Sequence, residues 1–415
     1  MVDDYGVDSN TESGALEPTE DATQVPVPVD AGEYEEATGE KLAHTLDIQS
    51  WQPGEDLGQL YGRLEREIED AVHQENRIRE RIRQNVFPLL QTRPGSPTGA
   101  GVYVASVEQL EEVHHGLLFN GAVEACDGTS IVHDTLPVTI TQIGVCLVSY
   151  QGDQGSYVHR IFRRDVRVRG TDPVDEAMEV LDRRRQRTGF DNSSRRDVMS
   201  DLLRRGIMAY AERAVLLRRS DALWRMGHGN PAPYELLTGS GSRELLESSL
   251  GLLRELVLDH QRFVFVPSAP ADRMLLTIGN ALRPLEYAIV DTLSDRINRV
   301  VEQGHYRGDW ASLVSGVREF AADAGSKVII GVYRASAMSP PHMFFAHADH
   351  VHKAAMIAMA DSTLQEHRGF PMMIDLADSI CRTTFGSDTL IAPTQVAYAQ
   401  AGEPFRYLTE RQTRK

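Results

Sequence analysis

The run Gly121-Ala-Val-Glu-Ala-Cys-Asp-Gly-Thr129 decides the fold. Residues 121–126 read as a short strand that leads straight into Asp127-Gly128-Thr129. The Asp-Gly pair predicts a sharp bend where the strand ends, with glycine relieving the backbone and Thr129 able to bond the carboxylate. Residues 136–150 are β-branched and apolar and predict a second strand. Residues 157–169, carried by Val158, Ile161, Val166 and Val168, predict a third. Short turns at Gly152 and Gly155 favour an antiparallel meander. Helices are then predicted over 175–187 and 195–219, a strand over 234–238, a helix over 243–260 and strands over 262–267 and 284–292. A helix over 310–324 leads to the apolar run 328–333, and helices over 349–367 and 371–385 close the domain. Three meandering strands followed by helix, strand, helix, strand is the order of an α/β, ribonuclease-H-like fold, a mixed sheet flanked by helices.

Outward from this core the chain changes character. Its 415 residues allow one large domain with additions, or two domains. With 41% apolar and 25% charged residues the composition is that of an ordinary soluble protein. No apolar run approaches the roughly 18 residues that a membrane span needs, and the acidic N-terminus has no apolar signal core, so a cytoplasmic protein with no membrane partner is expected. Cys126, Cys146 and Cys381 form neither a metal-ligand spacing nor a disulfide framework. The net charge of −17 is concentrated at the start, where the first 40 residues hold 12 acids and no Lys or Arg. Residues 1–45 are therefore read as a disordered acidic tail and residues 46–100 as a helical arm and linker. In the arm Leu57, Leu60, Leu64, Ile68 and Val72 recur at three- and four-residue spacing opposite a charged face, as in a helix that packs on a partner or on the core. Residues 101–400 make the main domain and 401–415 a C-terminal tail.

An acid at the end of a strand near the middle of a sheet is well placed to hold a hard divalent cation, which makes Asp127 the first candidate ligand. The plain alternative is an Asp-Gly turn. A second informative stretch is Arg368-Gly-Phe-Pro-Met-Met-Ile-Asp-Leu-Ala-Asp378. Pro371 suits the first turn of a helix, and Asp375 and Asp378 share one face of it, flanked by apolar residues, so that one carboxylate is expected to point toward the core. Acids favoured by the helix dipole would explain Asp375 better than Asp378. A rival set, His342, His347, Asp349, His350 and His352, is dense in ligand types for zinc or manganese but matches no standard zinc spacing. Between residues 160 and 205 stand 13 arginines against 9 acids. Arg163, Arg167 and Arg169 alternate with apolar residues, as on a sheet face that tracks a phosphate backbone; ordinary helix-surface ion pairs are the competing account.

These motifs together resemble the NurA family of DNA-end-processing nucleases. The strand ending in Asp127-Gly128-Thr129 is similar to that family's opening Asp-Gly-Ser/Thr. Gly369-Phe370-Pro371, followed after five residues by Ala377-Asp378, resembles its closing Gly-Tyr-Pro-x5-Ala-His. Between them the family carries a helical glutamate, which Glu212 in Ala-Tyr-Ala-Glu-Arg resembles, and a strand ending in a second Asp-Gly-Ser, where Thr238-Gly239-Ser240 falls. The resemblance covers about residues 121–385. It implies a metal-dependent DNA nuclease in which Asp127, Glu212 and Asp378 bind Mn2+ or Mg2+ and carry catalysis, with arginines such as Arg163, Arg167 and Arg169 holding the strand. It also implies a homodimer that works with a HerA-like hexameric ATPase in DNA end resection, repair or defence. The chain departs from the family at Phe370, Thr238 and Asp378. Asp for His keeps a metal ligand. Thr for Asp removes one, and Glu235, three residues earlier, has the wrong side-chain parity to replace it on a strand. Glu286 or Asp291 could supply the missing acid. The alternatives are a catalytically degenerate NurA-like module that binds DNA or an ATPase, and a zinc hydrolase built on the 342–352 histidines.

Overall fold

The structure is a computed structural model whose described residues are 30–51, 57–134, 139–151, 155–164, 200–269, 273–303 and 308–406, with the isolated positions 174 and 178. The helix expected over 175–187 and the ends of the chain, residues 1–29 and 407–415, lie outside them. The chain divides into two compact units, Met1–Glu80 and Arg81–Lys415.

In the first unit the arm is the long helix Leu57–Asn85, which runs on into the second unit. Residues 30–45, expected to lack structure, instead hold the helices Ala31–Thr38 and Leu42–Leu46. The cause is local. The Asp30 carboxylate accepts from Gly32 N at 2.7 Å, Glu33 reaches back to Asp30 N, and Gly39 ends the first helix in the left-handed region. Neither helix buries a residue, so capping rather than a core holds them.

The second unit is built on one nine-stranded sheet. Its strands in chain order are β1 Gly101–Val104, β2 Val123–Asp134, β3 Thr139–Val148, β4 Gly155–Arg164, β5 Trp224–His228, β6 Phe263–Val266, β7 Glu286–Thr292, β8 Val328–Tyr333 and β9 His342–His347. Across the sheet they run β1-β7-β8-β9-β6-β5-β2-β3-β4. β2, β3 and β4 form the expected antiparallel meander, and β5 and β6 continue it on the other side of β2 as parallel strands. That five-strand order, with a helix between β4 and β5 and another between β5 and β6, is the ribonuclease-H-like arrangement. β9, β8, β7 and β1 extend it as antiparallel strands.

β6 and β8, and β9 between its terminal histidines, are almost wholly apolar because helices cover both faces. Every residue of β6, β8 and β9 is buried. On one face Phe263, Phe265 and Phe345 pack with Leu216, Leu246 and Leu253, from the helices Asp201–Arg218 and Arg243–Arg254. On the other, Val264, Val266, Phe344 and Ala346 meet Ile357, Met373 and Ala377, from the helices Val351–Thr363 and Met372–Phe385. The helices that carry Glu212 and Asp378 therefore lie on opposite faces of the sheet.

One expected element is replaced. Residues 234–238 are not a strand: Tyr234–Leu237 is a single helical turn that Thr238 ends, its hydroxyl donating to Tyr234 O at 2.8 Å. The strand in that part of the fold is β5, ten residues earlier.

Candidate functional site

Asp127 is not at a strand end. β2 runs on to Asp134, with Asp127 opposite Cys146 and Gly128 opposite Val145 on β3. What stops at Asp127 is the pairing on the other edge, since the last parallel β2–β5 pair is Cys126 with Gly227. The next residues on the two strands are Asp127 and His228. They meet there, with His228 Nδ1 3.5 Å from Asp127 Oδ1, and Asp127 is almost fully buried. The same Oδ1 accepts from Gly128 N at 2.8 Å.

Gly128 makes no turn. A methyl group on it would stand 2.6 Å from Glu212 Oε1 and 3.0 Å from Met208 Cγ, so the glycine is the floor on which the Glu212 carboxylate lies. The helix Asp201–Arg218 reaches this spot by packing on the Cys126 side of β2, where Cys126 Sγ approaches Glu212 O at 3.5 Å. Burial, followed by the charge of Asp127, pushes the Glu212 carboxyl up to about 7 against the pull of Arg213, whose Nη1 is 2.5 Å from Glu212 Oε2. Arg213 is itself buried and tied to Ala209 O and Pro231 O, each at 3.2 Å.

Asp378 comes from the other face. Its helix, Met372–Phe385, lies against β2 and β3, with Cys381 Sγ 3.4 Å from Gly144 O. A Cβ on Gly144 would lie 2.3 Å from the Phe385 ring, so the close fit of this helix depends on that glycine. Burial first, then the charge of Asp127, raises the Asp378 carboxyl, while Arg382 and His228 oppose the shift; Arg382 Nε donates to Asp378 Oδ1 at 2.7 Å. Asp375 turns elsewhere, to Gln365 Nε2 at 2.7 Å and to Arg368. The helix start is clamped by Asp361, completely buried, which accepts from Met373 N at 2.9 Å and from the Tyr150 hydroxyl.

The charge of Asp127 thus reaches both Glu212 and Asp378, which lie on helices covering opposite faces of the sheet. The sequence reading missed His228, whose only signal was the short, polar-interrupted run Trp224-Arg-Met-Gly-His. It also missed Asp361 and Arg213. Thr238 is not beside Asp127 on a neighbouring strand, and Glu235 pairs with Arg205 at 3.4 Å. Glu286 and Asp291 are on β7, separated from β2 by the four strands β8, β9, β6 and β5, and are held by Arg83 and Arg93 at 2.5 and 3.3 Å. The rival set does not gather as a whole: His347 lies near Asp349, its Nδ1 3.8 Å from Asp349 Oδ2, and near His350, ring centroids 6.1 Å apart, but His342 and His352 stand elsewhere. His342 and His347 are at opposite ends of β9, about 17 Å apart at the strand rise; His342 bonds Arg368 O at 2.8 Å and His352 bonds Tyr287 Oη at 2.9 Å. Arg163 is on β4 opposite Ile140, and Arg167 and Arg169 lie outside the described residues.

No protein-family model matches the chain, and no curated protein matches it. Solved structures do. The fold is similar to that of NurA nucleases. The NurA nuclease of Sulfolobus solfataricus aligns with a TM-score of 0.44 at 9% identity, over 83% of this chain and 98% of its own. A NurA structure with manganese gives 0.34 at 9% identity over 66% and 92%. One bound to dAMP and manganese gives 0.33 at 10% identity over 66% and 90%.

The strand position beside Asp127 is held by His228 rather than by Thr238. Asp127, Glu212, Asp378 and His228 offer three carboxylates and one imidazole. Carboxylate-rich donors with one imidazole suit Mn2+ or Mg2+. Among the described residues no three His, Cys, Asp or Glu side chains stand as a ready-made metal cage. Arg213 and Arg382 instead pair with Glu212 and Asp378, and His228 stands beside Asp127.

Proposed function

We propose that this chain is a divalent-metal-dependent DNA nuclease of the NurA type, in which Asp127, Glu212, His228 and Asp378 hold Mn2+ or Mg2+. One observation supports the reading: after burial, the larger cause, the charge of Asp127 raises the carboxyls of both Glu212 and Asp378, which come from separate segments. Folding like charges together is costly unless a cation offsets it. A bound divalent ion would lower the pKa of a water and stabilise charge on the phosphate.

The residues divide the remaining work. Asp127 is fixed by Gly128 N and His228 and is the carboxylate common to the set. Glu212 lies over Gly128 and is paired with Arg213, and Asp378 is paired with Arg382; each carboxylate would offer the cation an oxygen in place of its arginine. His228 contributes a neutral nitrogen donor or holds a proton beside Asp127. Arg163, with Arg167 and Arg169, would hold the DNA backbone. The motif resemblance carries with it a homodimer and a HerA-like ATPase partner.

The test is digestion of 5′-labelled linear DNA with Mn2+ and with chelator, for the wild type and Asp127→Ala. Digestion that needs Mn2+ and falls at least ~100-fold in the variant is the expected result, since even supporting residues of metal sites are worth 10–100-fold. The arginine clamps on Glu212 and Asp378 favour a second reading, a module that binds DNA or an ATPase without cutting it. Undigested DNA in every lane, with DNA retained by the protein, selects that one.

A further inference from the structure

The helix Leu57–Asn85 presents a long apolar stripe to solvent. Leu60, Tyr61, Leu64, Ile68, Val72 and Ile78 are each at least 40% exposed. Scattered exposed apolar residues need no explanation, but a continuous strip along a helix about 43 Å long does. Its core follows a seven-residue repeat: Tyr61, Ile68 and Glu75 are spaced by seven, and Leu64, Ala71 and Ile78 stand three residues after each. Most charged residues of the helix stand at other positions, several in i,i+4 pairs such as Arg63–Glu67 at 2.7 Å.

We propose that this stripe is the seam of an antiparallel two-stranded coiled coil formed with the same helix of a second copy of the chain. The inference rests on the homodimer reading above and adds the surface and its polarity. Two features select the occupant and its direction. The helix is divided in charge: residues 58–70 hold four acids against two arginines, and residues 72–85 hold four arginines against two acids. A parallel pair would set acidic half on acidic half, whereas an antiparallel pair sets each half on its complement, even with Arg83 engaged by Glu286.

The seam residues point the same way. A parallel pair would bury Glu75 against its own copy. An antiparallel pair in which facing positions sum to 139 puts Tyr61 opposite Ile78, Ile68 opposite Ala71 and Glu75 opposite Leu64. Large residues then meet smaller or branched ones, and Glu75, already held by Arg79 Nη2 at 2.5 Å, keeps its carboxylate at the rim.

The test uses the full chain. Sedimentation at ~20 µM is expected to give twice the chain mass of 46.2 kDa for the wild type and the single-chain mass for Ile68→Lys, a position already exposed, with the helical circular dichroism of the two proteins alike. The direction is read by oxidative cross-linking, to which the three native cysteines, all buried, contribute little. A mixture of Leu64→Cys and Glu75→Cys chains should form a linked dimer, and Leu64→Cys alone should not, because its two copies would be ~16 Å apart along the coil. Self-linking of Leu64→Cys means a parallel coil and overturns the proposal. A dimer unchanged by Ile68→Lys overturns this interface but leaves the homodimer, while a monomeric wild type overturns both.

Discussion

At the scale of single residues, the site is organised by what stands next to Asp127. Its strand neighbour His228 places an imidazole nitrogen 3.5 Å from its carboxylate, and its chain neighbour Gly128 leaves room for Glu212. Two predictions follow from these contacts. Gly128→Ala would drive a methyl into Glu212 Oε1, so we expect a loss of about 1–3 kcal/mol of stability, measured by denaturant unfolding, together with a sharp drop in Mn2+-dependent digestion. His228→Asp keeps a ligand at the β5 position and is expected to retain far more digestion than His228→Ala. Equal activity of the two would mean that His228 donates nothing to the ion.

At the scale of elements, the placement of the last helix decides whether Asp378 can take part. Asp361 clamps that helix through Met373 N and Tyr150. Burial, the largest cause, raises the Asp361 carboxyl from 3.8 to about 6. The neutral form is the one the fold favours, so its contribution to stability is complete below about 3.8 and is lost as pH rises through 6. The melting temperature should therefore decline over that window in the wild type, and the decline should shrink in Asp361→Asn. An unchanged pH profile in the variant would remove Asp361 from the account. Gly144→Val tests the same helix from the sheet side, because the added carbons would displace the Phe385 ring; a cost of about 1–3 kcal/mol is expected in unfolding measurements.

The elements also show what could be read in advance. The strands β3, β4, β6, β7 and β8 and the start of β2 were legible because β-branched and apolar residues dominate them. β5 was not, because Arg225 and His228 interrupt its pattern; Arg225 is buried all the same, its guanidinium bonded to Ser220 O at 2.7 Å. The Asp-Gly pair at 127–128 signals a turn to any local rule, yet the glycine serves a contact with a helix more than 80 residues later. Local chemistry cannot announce a contact of that kind. Asp127, Glu212 and Asp378 were singled out by motif, but that His228 rather than Thr238 stands beside Asp127 depended on strand register.

At the scale of the whole molecule, the division at Glu80 and Arg81 separates the arm from the sheet unit. The second unit contains its own core and both partners of the Arg83–Glu286 pair. A chain starting at Arg81 is therefore expected to keep a cooperative unfolding transition within a few degrees of the full chain, by calorimetry. The central claim concerns the cation itself, and calorimetric titration of Mn2+ into the full-length protein tests it most directly. Saturable uptake by the wild type, weakened at least ~100-fold by Asp127→Asn, is the expected result. A wild type that takes up no Mn2+, or a variant that binds it just as tightly, would contradict the assignment.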